Sequence, residues 1–524
     1  MKQRIAIYDT TLRDGAQAEG VVFSLVDKVA VARRLDDFGV DYIEGGYPLS
    51  NPKDAAFFAE LAHKPLQHAQ LAAFGNTRRA NATAAEDVGL RALLESGAPV
   101  ATLVGKSWDL HVTDVLRIPL EQNLEVIRDS VATLKAHGLT VFYDAEHFFD
   151  GYRANPEYAT ATLHAARDAG AETIILCDTN GGTLPSALRE TIRAVRPTLD
   201  VALGIHAHDD AGLAVANSLV AVEEGITHVQ GTINGIGERC GNADLCAIVP
   251  TLALKMGCDV LRPGSVQHVT SVSRYLYQIA NLNPPLRQPY VGHNSFAHKG
   301  GLHVDAMQKN PLTYEHLDPE RVGNERRILI SELSGNAAIL AKAAKVDERV
   351  DRETSRRVLE TVQNLESEGY EFEAADASFA LVVRGVLGTR KRFFELEGFR
   401  TIVIKHDHDE EPSTEAIVKL RVGGESRLTV AEGDGPVHAM DGALRKALEG
   451  FFPVLRDVRL VDYKVRIVNP RAGTAAKICV VIESTDGHEV WGTVGVSGNI
   501  IEASWQALID SIEYKLLKEE EAAG

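Results

Sequence analysis

The sequence predicts a (β/α)8 barrel followed by a helical connector and a C-terminal α+β domain of two βββα repeats, and three observations predict it. Short β-rich apolar runs alternate with amphipathic helical stretches eight times before about residue 275. Each run ends in polar or glycine residues, as barrel strands do at the face that carries chemistry. After Phe394 a strand-rich pattern occurs twice, closed first by a helix from Pro436 to Leu448 and then by one from Ile500 to Leu517. At 524 residues the chain exceeds one ordinary core, and a division into 1–275, 276–393 and 394–524 is expected.

The first run, Ile5 to Tyr8, leads into Asp9-Thr-Thr-Leu-Arg13-Asp14-Gly15, and the second, Tyr42 to Ile43, into Glu44-Gly-Gly. Leu71 to Phe74 leads to Gly75-Asn76, Ala101 to Val104 leads to Gly105-Lys106, and Thr140 to Tyr143 leads to Asp144-Ala-Glu146-His147. Thr173 to Cys177 ends at Asp178-Thr179-Asn180, Ala202 to Ile205 at His206-Ala-His208, and Val229 to Ile233 at Asn234 and the loop Gly241-Asn242. A doubly wound open sheet is the competing fold. It is disfavoured because no G-x-G-x-x-G follows the first strand and the polar ends are spread evenly rather than gathered at one switch point.

The connector begins with prolines (Pro284, Pro285, Pro289), continues through Phe296-Ala-His298-Lys-Gly-Gly-Leu-His303-Val-Asp305, and turns into charged helical sequence through Glu368. The terminal repeat suggests a pseudo-twofold module for ligand binding or dimerisation, with a ligand-free second domain as the plain alternative.

A net charge of −18 opposes nucleic acid and anionic membranes as partners, because the cations that neutralise phosphate are missing globally. No run approaches the roughly 18 to 20 apolar residues of a membrane span, and Met1-Lys-Gln-Arg4 has no secretory character. Five cysteines (Cys177, Cys240, Cys246, Cys258, Cys479) without a C-x-x-C pair fit a reducing compartment, so a cytoplasmic protein is expected.

Residues i and i+2 of a strand share a face, so His206 and His208 can aim two imidazoles at one point. For His-x-His alone, a pair of surface histidines is an equal alternative. Asp14 adds a carboxylate and Asn242 a carbonyl oxygen, a mixed O/N set suited to an open, catalytic divalent ion such as Mn, Zn, Co or Mg. Beside Asp14, the Arg13 guanidinium can hold a carbonyl or enolate oxygen as charge develops there; the plain alternative is a salt bridge to Glu44 or Glu146. Asp144 and Glu146 share a face by alternation, which would raise the pKa of one of them. Thr179 offers a hydroxyl to a substrate carboxylate or serves a turn. Cys240 reads as a loop residue rather than a nucleophile.

Asp9-Thr-Thr-Leu-Arg-Asp-Gly-Ala-Gln17, His206-Ala-His208-Asp-Asp, Gly237-Glu-Arg-Cys-Gly-Asn242 and Gly301-Leu-His303-Val-Asp305 together resemble the acyl-CoA-dependent Claisen-condensing barrels, the 2-isopropylmalate, homocitrate and citramalate synthases. The likeness covers nearly the whole chain, and segments such as Tyr143-Asp-Ala-Glu-His-Phe-Phe-Asp-Gly-Tyr152 and Asn499-Ile-Ile-Glu-Ala-Ser-Trp505 turn it toward the citramalate-forming members. The resemblance implies a metal held by Asp14, His206 and His208 with Asn242 completing or supporting the shell, a 2-oxo acid positioned by Arg13, Glu146 and Thr179, and acetyl-CoA as co-substrate. It further implies that the connector's His303 helps remove an acetyl proton, with Asp305 and Tyr314 nearby, and that the protein is a homodimer with crossed connectors, inhibited at its terminal repeat by isoleucine. Where several relatives carry Ser or Tyr, this chain has Asp144. A carboxylate there should repel the distal carboxylate of 2-oxoglutarate and leave pyruvate as the expected acceptor, ahead of 2-oxoisovalerate. The competing readings are an aldolase or lyase on the same barrel, and a catalytically silent amino-acid sensor.

Overall fold

The computed structural model describes residues 2–299, 301–328, 336–372, 374–405, 411–468 and 476–523. Eight parallel strands close into a barrel in chain order: β1 (Ala6–Asp9), β2 (Tyr42–Gly46), β3 (Gln70–Asn76), β4 (Val100–Lys106), β5 (Thr140–Glu146), β6 (Thr173–Asp178), β7 (Ala202–Ala207) and β8 (His228–Gly231). The expected (β/α)8 architecture is therefore the observed one. β8 stops two residues earlier than its apolar run suggests. The Thr232 N–H donates to the Ala243 carbonyl and the Ile233 N–H to the Thr11 hydroxyl, which turns the chain out of the barrel wall and places Asn234 in the left-handed region.

Helices sheathe the barrel through apolar stripes of period 3.6. The helix Pro185–Val195 buries Leu188, Ile192 and Val195 at steps of four and three. The helix Leu25–Phe38 opens on a capping box between Ser24 and Asp27 and stops at Gly39, whose φ of 91° requires glycine.

Inside the barrel, alternation stacks layers of side chains. Tyr8, Ala72, Val100, Phe142, Ile175 and Cys177 form an apolar floor. The His228 ring sits within it, 5.3 Å from Tyr8, 5.8 Å from Tyr42 and 5.2 Å from Phe142. Charged and amide side chains begin above this floor.

The chain forms two compact units, residues 1–296 with 317–325 and residues 297–316 with 326–524. The helix Val269–Ile279 runs through residue 275. In the second unit a short parallel pair, β9 (Ala297–His298) and β10 (Arg327–Ile328), accompanies helices whose core includes Ile339, Val358, Phe372 and Phe379. Two antiparallel sheets follow. The first is β11 (Phe394–Ile404), β12 (Ser413–Val422) and β13 (Glu425–Gly433), with the helix Pro436–Leu448; the second is β14 (Arg459–Ile467), β15 (Ile478–Thr485) and β16 (Val490–Ser497), with the helix Ile500–Ala523. This is the twofold βββα repeat read from the sequence, and each repeat carries a bulge near the start of its first strand. The last helix outruns its expected end at Leu517 because Lys515–Glu519 pairing at i,i+4 and strong helix formers carry it onward. Among the described residues, no helix is long and apolar enough to cross a membrane.

Burial pushes the pKa of His228 down to about 3, so the folded chain refuses a proton that an unfolded histidine accepts near pH 6.5. Stability from this site is whole above about pH 6.5 and falls as pH drops toward 3, by up to about 1.4 kcal/mol per unit. His228→Asn cannot titrate. The acid limb of its urea-midpoint profile is expected to be shallower by up to one proton, and an unchanged limb contradicts this account.

Candidate active site

β7 carries His206 inside the barrel, and His208 follows one residue beyond the strand in a bridge with Asn242. That bridge, with Ala243 N–H donating to the Ala207 carbonyl, brings the 237–242 loop over the strand end. A Cβ at Gly237 would lie 2.1 Å from Asn242 Nδ2, so any side chain there would displace the Asn242 amide. Two strands round the barrel from β7, beyond β8, the turn after β1 presents Asp14. This turn is fixed by the Asp9 carboxylate, which accepts from the Thr11 N–H at 2.9 Å and the Thr11 hydroxyl at 3.0 Å.

Asp14, His206 and His208 are all buried and offer ligand atoms within 4.8 Å of one another. Asp14 Oδ2 lies 3.4 Å from His206 Nε2, which lies 3.4 Å from His208 Nε2. Ligand atoms on one ion, each about 2.0 to 2.2 Å from it, stand roughly 3 to 3.5 Å apart, so the three side chains fit a single cation. Asn242 donates its amide N–H to Asp14 at 3.1 Å and to the Ile236 carbonyl at 3.3 Å, and its buried Oδ1 has no partner among the described residues. A buried carbonyl oxygen left unsatisfied on a side chain that touches Asp14 is a donor that a hard or borderline cation can take.

The electrostatics favour the same use. Burial would raise Asp14, but the Arg13 charge and the His206 hydrogen bond outweigh it and hold its carboxyl well below the usual carboxylate range. Burial would lower His206, but the Asp14 hydrogen bond and the charges of Asp14 and Asp144 outweigh it and raise the ring above its ordinary value. Burial and neighbouring His206 push His208 down to about 4, which keeps it neutral and able to ligate.

Arg13 donates from Nε to Glu44 at 2.6 Å, lies 3.2 Å from Asp14, and stacks its guanidinium 4.0 Å from the Phe74 ring centroid. Glu44 is fully buried and also accepts from the Tyr8 hydroxyl at 2.8 Å. Of the two carboxylates considered as partners for Arg13, Glu44 is therefore the one engaged. Glu146 instead forms an ion pair with Lys106 at the rim. Asp144 is raised to about 7, as one of the two strand-end carboxylates was expected to be, but burial and the charge of Glu44 are responsible rather than Glu146. Its carboxyl accepts from Gln230 at 3.1 Å. The Thr179 hydroxyl accepts from the His147 N–H at 2.8 Å, and its carbonyl accepts from Arg239. A cavity of about 310 Å³ opens beside Arg13, lined by Gln17, Phe23, Asn51, Lys53 and Phe74 among others.

His303, Asp305 and Tyr314 belong to the second unit. The exposed His303 ring stacks on Tyr314 with centroids 4.2 Å apart, and Asp305 pairs with Lys309 at 2.6 Å. Sequence reasoning missed Gln230, Phe74 and Lys106, and it treated Glu44 only as a possible counter-ion. The signal for Gln230 is an amide within the buried run Val229 to Ile233.

Three family matches tile the chain: HMGL-like over residues 4–275, homocitrate synthase post-HMGL domain-like over 290–370, and LeuA allosteric (dimerisation) domain over 373–516. The chain is 53% identical to the (R)-citramalate synthase of Geobacter sulfurreducens and 50% identical to that of Aquifex aeolicus, with 99% of both chains covered in each case. It is 51% identical to the (R)-citramalate synthase of Synechocystis sp., covering 98% of this chain and 96% of that one. The chain belongs to the (R)-citramalate synthase family. Citramalate synthases are acyl-CoA-dependent condensing enzymes, and membership makes this chain an acyltransferase; its two C-terminal sheets lie within the stretch that matches the LeuA allosteric (dimerisation) domain.

His206→Ala removes one ligand of the triad and is expected to weaken Mn2+ binding by at least about 100-fold in calorimetry on metal-stripped protein. An affinity equal to that of the unaltered protein contradicts a metal site at these residues.

Proposed function

We propose that the protein condenses acetyl-CoA with pyruvate and water to give (R)-citramalate and CoA, a step of isoleucine biosynthesis. The observation that carries this reading is the buried Asp14, His206 and His208 set, with Arg13 beside it, in a chain about half identical over its full length to (R)-citramalate synthases. Asp14, His206 and His208 hold a divalent cation, Mn, Zn, Co or Mg, with Asn242 completing or supporting the set. When bound, that cation supplies Lewis-acid polarisation of the acceptor's keto group.

The remaining steps fall to side chains. Arg13 donates to the keto oxygen as negative charge gathers on it; Glu44 and Phe74 hold the guanidinium in place, so little reorganisation is needed at the moment of reaction. Thr179 Oγ1 already accepts from the His147 N–H, which leaves its own proton free to donate to the substrate carboxylate, and Glu146 helps to position that acid. His303, with Tyr314 stacked on it and Asp305 in the same helix, takes the methyl proton of acetyl-CoA. These groups come from the connector of the same chain or of a partner copy. The enolate carbon attacks the keto carbon, and hydrolysis of the thioester releases CoA and makes the reaction practically irreversible.

Asp144 in the barrel interior, its carboxyl already raised to about 7 by burial and by Glu44, disfavours a further carboxylate on the acceptor, which places pyruvate ahead of 2-oxoglutarate and, by its polarity, ahead of 2-oxoisovalerate. We assign catalysis to 1–275, the connector to 276–393, and homodimerisation with isoleucine sensing to 394–524. Thiol release from acetyl-CoA is expected to be fastest with pyruvate, at least about tenfold slower with 2-oxobutyrate, 2-oxoisovalerate or 2-oxoglutarate, and inhibited by isoleucine. Faster release with 2-oxoisovalerate would make the protein a 2-isopropylmalate synthase, and no release with any acceptor would make it a silent sensor.

A further inference from the structure

Two buried side chains outside the triad make a continuous hydrogen-bonded path into it. His206 Nδ1 lies 2.8 Å from Gln230 Oε1, and Gln230 Nε2 lies 3.1 Å from Asp144 Oδ1. Gln230 is fully buried, Asp144 is 3% exposed and His206 is 5% exposed, so water does not substitute for any link. We infer that Gln230 and Asp144 form a relay that dictates which ring nitrogen of His206 is left free for the cation, which makes both of them positioning residues. This rests on the reading that Asp14, His206 and His208 hold a divalent ion.

The relay follows from donor and acceptor inventories. Asp144 Oδ1 accepts from Gln230 Nε2 at 3.1 Å, so the NH2 end of Gln230 faces it. The amide oxygen of Gln230 must then face His206, and it can only accept. Nδ1 of His206 is therefore compelled to carry the hydrogen, and the lone pair falls on Nε2, the atom that looks toward Asp14 Oδ2 and His208 Nε2. A cation near His206 favours the ionised form of Asp144, so binding and relay reinforce each other. Backbone register supports the geometry: Gln230 stands beside Tyr8 in the β1–β8 pairing, two residues above His228, on the face that lines the barrel. Without Asp144 the amide could rotate by half a turn and present its NH2 to the ring, which would draw the lone pair to Nδ1 and the proton to Nε2.

The test is Mn2+ titration calorimetry on metal-stripped full-length protein, paired with kcat and KM for the reloaded enzyme. Gln230→Met keeps the volume but removes both hydrogen bonds, and a loss of about 10- to 100-fold in Mn2+ affinity is expected. Gln230→Glu sets two carboxyl groups against each other and is expected to weaken binding comparably. The double variant D144N/Q230E rebuilds the path with its charge moved by one residue, since the amide introduced at position 144 donates to the carboxylate introduced at position 230, which in turn accepts from His206. Its affinity should return to within about threefold of the unaltered protein. Native affinity in Q230M, or a double variant no better than Q230E alone, overturns the relay. If Q230M does not fold, the Q230E and D144N/Q230E pair decides the matter, because both retain the amide's size. An H206A variant that binds Mn2+ normally would instead remove the metal reading beneath the relay, so the two failures are distinguishable.

Discussion

Strand alternation at the end of β7 is the constraint on which the site depends. Because residues two apart on a strand share a face, His206 and His208 reach the barrel mouth on one side, and the bridge from His208 to Asn242 draws the following loop against them. Asp14 closes the set only because the β1 turn is pinned from both directions, by the Asp9 carboxylate on Thr11 and by the Thr11 hydroxyl on the Ile233 N–H. The bond that ends β8 early is thus one of those that hold the neighbouring β1 turn, and with it Asp14, in place. Shape and ligand placement are one problem in this barrel.

The barrel interior concentrates acid around a single cation. Glu44, Asp14 and Asp144 lie close enough for their charges to act on Arg13; burial works against the guanidinium charge, and Glu44 and Asp14 hold it in place nonetheless. Such a layer is costly to bury unless every member is paired. Here Glu44 is shared by Arg13 and the Tyr8 hydroxyl, Asp14 by Arg13, His206 and Asn242, and Asp144 accepts from Gln230. A divalent ion held at the triad would add positive charge where carboxylates outnumber basic groups, above the apolar floor that Tyr8 and Phe142 form around His228.

Much of this was legible in the sequence because its signals are local. Each apolar run with its polar end, the two histidines at i and i+2, and the Arg-Asp pair after the first strand is a signal contained within a few residues. What the sequence hid depends on long-range pairing. Alternation put Asp144 and Glu146 on one face, yet Asp144 turns to Gln230 across the barrel while Glu146 turns to Lys106 on the neighbouring strand. The premature end of β8 depends on a hydroxyl more than two hundred residues away. Gln230 is a lone amide in an apolar run, and nothing in its neighbours announces that His206 needs it. In the C-terminal repeat the expected helix from Pro436 to Leu448 matches because Gly435 and Pro436 punctuate its start. The terminal helix exceeds its expected end because no glycine or proline stops it before Gly524.

The central claim is that one divalent cation sits among Asp14, His206 and His208. The most direct measurement is the anomalous diffraction of crystals grown from Mn2+-loaded protein. The account predicts a single strong peak about 2.0 to 2.3 Å from Asp14 Oδ2, His206 Nε2 and His208 Nε2. A peak bound elsewhere in the chain, or a triad in which the two imidazoles point away from any shared centre, would contradict it.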